Sequence, residues 1–140
     1  MISTFIFSLC FGFLWTIFAI YPPLHKVLRR RKNYNIFLVI SIVLPIISLL
    51  SYDENNPNDH INMIFLSLLL LLFMILYKYF DAYIFKNYGR NLYLSVRYNS
   101  LWNDDESDQQ TGVELLFQIM LLVAPLVFCG FLIYLFETFK

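Results

Sequence analysis

Apolar residues run along this chain in long stretches, and polar residues gather in the gaps between them. The first stretch is Ile2 to Tyr21, stopped by Pro22-Pro23. The second runs from about Tyr34 to Tyr52, and its aromatic ends suit the two interfaces of a bilayer. The third begins near Ile61 and continues through LSLLLLLFMILYKYF, and the fourth extends from Val113 to Phe136. A soluble domain spreads its charges along amphipathic helices and strands, whereas here they fall into short blocks. At about 1.5 Å rise per residue, each stretch reaches across a hydrocarbon core of roughly 30 Å. Four spans cannot close a barrel, so helices are the form that satisfies the backbone in lipid.

The pattern therefore predicts an all-α membrane protein with four transmembrane helices in a single domain over residues 1–140. The spans are placed at about 2–21, 34–52, 61–80 and 113–136, with connections at 22–33 and 81–112 on one side. The chain holds 10 basic and 10 acidic residues, and only 14% of it is charged. That zero balance hides a segregation. Lys26, Arg29, Arg30, Arg31 and Lys32 lie in the first connection, and Lys78, Lys86, Arg90 and Arg97 lie around the second. The intervening loop, DENNPNDH, has no Lys or Arg, and only Lys140 falls on its side. Nine of the ten basic residues on one face is the positive-inside pattern, which puts both termini outside. The first span reads as a retained anchor, because its basic residues follow the apolar run. The bias toward Phe, Ile, Leu, Asn and Tyr points to an AT-rich genome. A bacterial inner membrane is the first reading of location and a mitochondrial inner membrane the second.

Membrane placement decides how the basic cluster HKVLRRRKN is read. Lys26, Arg29, Arg30, Arg31 and Lys32 sit at the headgroups, as a topology signal in contact with anionic lipid, worth about 1 kcal/mol per basic residue. Nucleic-acid binding asks for basic residues interleaved with stacking aromatics on a presentable surface, and is set aside. The acidic run Asn103 to Asp108 contains Asp-Asp-x-x-Asp, a spacing that presents carboxylates to magnesium and a diphosphate. A solvated loop before a helix N-terminus is the preferred reading, and a lipid-modifying enzyme using Asp104 to Asp108 is a minor one. No catalytic, cofactor or metal residue is assigned. His25 and His60 fall on opposite sides and cannot share a metal.

Further features belong to the spans and the connection between the last two. Thr4, Ser8, Gly12 and Thr16 form a small-residue stripe for helix packing, and Ser41, Pro45 and Ser48 form a shorter one, with kinks expected at Pro45 and Pro125. Thr111-Gly112-Val113-Glu114 fits a capping box at the start of the fourth span. Gln118 lies one turn deeper than Glu114, which puts the pair on a polar seam between helices. Cys10 and Cys129 read as apolar core cysteines that meet only if the first and fourth helices pack together. After the third span, YKYFDAYIFKNYGRNLYLSVRY reads as an extension of that helix along the headgroups, a turn at Gly89, and a weak strand signal in NLYLSVRY. This connection, with Lys78, Asp81, Lys86, Arg90, Arg97 and Trp102, is the candidate surface for a partner.

An apolar span, the short polar loop DENNPNDH and a span ending in KYFDAYIFKNYGR are followed by a proline-centred last span, LFQIMLLVAPLVF. This layout resembles that of immunity proteins against pore-forming bacteriocins over about two-thirds of the chain, with the first span as an addition. Small multidrug exporters have a similar size and span count, but their first span carries an embedded Glu and this one has no acid. The expected function is thus a non-catalytic inner-membrane protein that contacts lipid and binds another membrane protein. It is either an accessory subunit of a membrane complex or an immunity-type protein. The alternative is an oligomeric channel or small transporter using Glu114 and Gln118. No charge is expected to be buried within the spans.

Overall fold

A computed structural model describes residues 14–19, 26–50, 57–94 and 111–139. Among these residues all regular structure is helical. Three long helices carry the fold: α1 (Arg31–Leu50), α2 (Pro57–Tyr88) and α3 (Gly112–Thr138). Each is long and apolar enough to cross a membrane. At about 1.5 Å per residue they measure roughly 30, 48 and 40 Å. From the expected first span, residues 14–19 are helical. Thr4, Ser8, Gly12 and Cys10 lie outside the described residues, as do His25, Arg97, Trp102 and the acidic run.

α2 is the centre of the bundle. α1 packs on it and α3 packs on it, while among the described residues α1 and α3 do not meet. Accordingly, 39% of the apolar window of α2 is buried, against 17% in each of its neighbours. The buried residues of α2 explain why. Leu69, Leu70, Phe73, Met74, Tyr77, Phe80 and Ile84 recur at helical spacing and turn one broad face inward. Trp15, Phe18 and Ala19 fill the space beside it. Phe18 meets Phe37 of α1 edge-on at 5.0 Å and stacks on Phe73 at 6.2 Å. On the other flank Phe117 of α3 stacks on Phe80 at 4.2 Å, with Tyr83 edge-on at 5.5 Å. Such ring pairs contribute about 0.5–1.5 kcal/mol beyond their area.

The stripe in α1 is buried as small residues in a packing seam should be: Ser41, Pro45 and Ser48 all turn inward. Ser41 and Ser67 return their hydroxyls to Leu38 and Ile64 carbonyls at 2.7 and 2.6 Å, so neither leaves a donor exposed to the apolar interior. α1 and α3 continue through Pro45 and Pro125 without interruption.

α2 runs eight residues past the expected end of its span, to Tyr88, continuous with the spanning part. Gly89 stops it at φ 68, and its amide still donates to the Phe85 carbonyl at 3.0 Å. A left-handed residue at this position closes a helix C-terminus, and glycine adopts it without a Cβ penalty. Residues 91–94, expected to begin a strand, are irregular instead. Two of their amides go to carboxylates and not to a neighbouring strand: Leu92 N donates to Asp81 at 2.9 Å and Tyr93 N to Glu114 at 3.1 Å.

Candidate functional site

The polar chemistry of the described chain concentrates at its basic end, around Glu114. Thr111 and Glu114 form the capping box, with Glu114 N donating to Thr111 Oγ1 and Thr111 N donating back to Glu114 Oε2 at 2.8 Å. The cap occupies only part of the carboxylate. Arg90 donates from Nη1 to Oε1 at 2.6 Å and from Nη2 to Oε2 at 2.7 Å, a two-pronged ion pair. Tyr93 N and Thr111 Oγ1 complete the donors at 3.1 and 3.2 Å. Glu114 has no exposed surface at all, while the Arg90 side chain retains 26%.

This overturns the expectation that no charge is buried in the spans. The first turn of α3 carries a fully enclosed carboxylate. It is tolerable there because the donors fill its lone pairs, and because Arg90 supplies the opposite charge at contact distance. The geometry also gives Arg90 and Asp81, both members of the candidate partner surface, bonds within the fold. Arg90 is committed to Glu114, and Asp81 accepts the Leu92 amide together with longer contacts from Asn91 Nδ2 at 3.4 and 3.5 Å. Lys78 stands over the Tyr34 ring at 5.2 Å, and Lys86 remains exposed.

The two basic connections touch. Arg29 Nη2 donates to the Leu92 carbonyl at 3.3 Å, and Lys26 lies over the Tyr93 ring at 5.5 Å. Residues 89–94 are thereby held from three directions, by Asp81 of α2, by Glu114 of α3 and by Arg29 ahead of α1. Leu92, Tyr93 and Leu94 are buried under this clasp. Of the basic cluster, then, Lys26 and Arg29 serve the interior of the fold, and Arg30, Arg31 and Lys32 face outward.

One turn deeper, Gln118 is buried and donates from Nε2 to the Ala19 carbonyl at 2.8 Å. This bond ties α3 to the helical residues 14–19. Tyr34 OH makes an equivalent tie from α1 to the Met74 carbonyl of α2 at 2.9 Å. Cys129 is buried and directs its thiol to the Phe65 carbonyl at 3.3 Å. Near it, at the far end of α3, an apolar groove of about 420 Å³ is lined by Phe65, Leu132, Leu135, Phe136 and Phe139.

Glu114, Thr111 and Gln118 are visible from local sequence, since a Thr-x-x-Glu pattern and an amide one turn later need no long-range knowledge. Arg90 and Asp81 are not, because their partners lie 24 and 11 residues away across a turn. The signal available for Arg90 is its place directly after Gly89, where the chain reverses. Comparison of the chain with protein-family models, curated proteins and solved structures finds no match.

Proposed function

We propose that the chain is a non-catalytic protein of a bacterial inner membrane that acts by binding another membrane protein. It serves either as an accessory subunit of a membrane complex or as an immunity-type protein against a pore-forming toxin. The topology that goes with this reading has four spans, with residues 22–33 and 81–112 inside and both termini outside. The observation that carries the proposal is the saturation of Glu114. A carboxylate meant to pass protons or ions must exchange partners, and this one is enclosed by Arg90, Thr111 and the Tyr93 amide in a holding arrangement. The clasp fixes three helices relative to one another and presents two long apolar flanks. Val39, Val43 and Ile46 are exposed on α1, and Ile119, Val123 and Val127 on α3. Rigid apolar flanks offer the dispersion contacts by which helices associate in lipid.

Photocrosslinking tests the proposal. With a photoreactive residue at Val123 or at Val127 of α3 in living cells, the expected product is one heterologous membrane protein, recovered at fixed stoichiometry. It must also co-purify with the unmodified chain in mild detergent. Crosslinks to lipid and to copies of the same chain alone, from both positions, would remove the proposal.

A further inference from the structure

We propose that the outward face of α1 binds an anionic phospholipid, its phosphate between Arg30, Arg31 and Lys32 and its acyl chains along the ridge below. The proposal deepens the membrane reading, since it rests on this end of α1 lying at a bilayer surface. It does not depend on a protein partner.

The basic cluster divides by what its members touch. Lys26 and Arg29 are engaged with Tyr93 and Leu92. Arg30, Arg31 and Lys32 are exposed, and the first turn of α1 contains no acidic residue to offset them. Lys78 of α2 belongs elsewhere, since it stands over the ring of Tyr34, which turns inward from α1 onto α2. Positive charge at the head of the outward face thus comes from three successive residues at the start of α1.

Below that level the same face is apolar. Lys32, Ile36, Val39, Val43 and Ile46 succeed one another at spacings of three and four and so form one ridge. The four apolar members are 48, 58, 42 and 49% exposed, so neither α2 nor residues 14–19 cover them. From Ile36 to Ile46 the ridge rises about 15 Å, the depth of one leaflet in a hydrocarbon core of roughly 30 Å. A cationic head above an apolar strip one leaflet deep is the complement of an anionic phospholipid. A soluble phosphate would use only the head of this surface, and a zwitterionic lipid would gain little from the charge.

The test uses the purified full chain in neutral detergent micelles doped with phosphatidylglycerol, phosphatidylcholine or glycerol phosphate, read by native mass spectrometry and by melting temperature. Wild type is expected to retain phosphatidylglycerol and to melt higher with it than with either control. Each cation removed should weaken retention about fivefold, and R30Q/R31Q/K32Q should weaken it roughly a hundredfold. K86Q, which removes an exposed charge at the end of α2, should leave it unchanged. Equal retention of the two lipids by wild type overturns the proposal, and so does undiminished retention by the triple variant. Equal losses in K86Q overturn it as well, because they would reduce the effect to net charge. If the triple variant melts lower in phosphatidylcholine, the charge-keeping R30K/R31K/K32R decides. Retained preference there supports the site, and lost preference overturns it. The assay contains no second protein, so its outcome is separate from that of the partner-binding proposal.

Discussion

Replacing Glu114 by Gln keeps the shape of the side chain and removes its charge, which isolates the ion pair from packing. Breaking a buried pair by removing one partner costs about 3–5 kcal/mol when the remaining charge is stranded. Here the group left behind is Arg90, whose side chain is 26% exposed and regains some hydration. The expected cost of E114Q is therefore about 2–3 kcal/mol. R90M leaves the fully enclosed carboxylate with only the Tyr93 and Thr111 donors, and should cost about 3 kcal/mol or more. T111A, which removes the cap and leaves the pair, should cost about 1 kcal/mol. In R90M/E114Q no charge is stranded, so the double variant should be more stable than additivity predicts by about 2 kcal/mol. Reversible unfolding by SDS in mixed micelles, followed by circular dichroism, gives these differences. If E114Q costs no more than T111A and the two losses in the cycle simply add, the clasp is a cap with an incidental arginine. A liposome flux assay separates the transport reading. E114Q should leave ion flux at the wild-type level, and a loss of flux without a loss of stability would refute a holding role.

Three smaller tests follow the same helices. G89A meets no atom within 4 Å, so it should cost only the left-handed backbone strain, about 1 kcal/mol, with G89N losing less. Q118L strands the Ala19 carbonyl and should cost about 1–2 kcal/mol, with faster proteolysis near the start of the chain as a second readout. D81A takes the acceptor from the buried Leu92 amide and should cost about 1–3 kcal/mol. D81N retains an acceptor oxygen and should keep most of the stability, a difference readable by SDS titration.

How much of this was legible in the sequence varies with the range of the interaction. The three long helices follow from apolar runs long enough to cross a membrane, and their centres match the expected positions. Thr111 and Glu114 were identifiable as a cap because both halves of a capping box lie within one turn. Gly89 marked the end of α2 for an equally local reason. The strand signal in NLYLSVRY misled because alternation of Leu92, Leu94 and Val96 reports only that one side is buried. It does not report what receives the backbone amides, and here carboxylates from α2 and α3 take that place. The pairing of Arg90 is not legible, because an arginine in a polar connection looks hydrated until the helix that carries its partner is in position. The same holds for Lys26 and Arg29, whose contacts with residues 92 and 93 join segments more than 60 residues apart.

The enclosure of Glu114 with Arg90 has a consequence for how this sequence can drift. Losing either partner first strands a charge, so the route from an Arg-Glu pair to an apolar pair passes through an intermediate weakened by a few kcal/mol, a large share of the stability of a small protein. Positions 90 and 114 therefore behave as one heritable unit. Descendants of this chain should keep both residues or replace both, and single changes at either site should survive only beside a compensating change at the other.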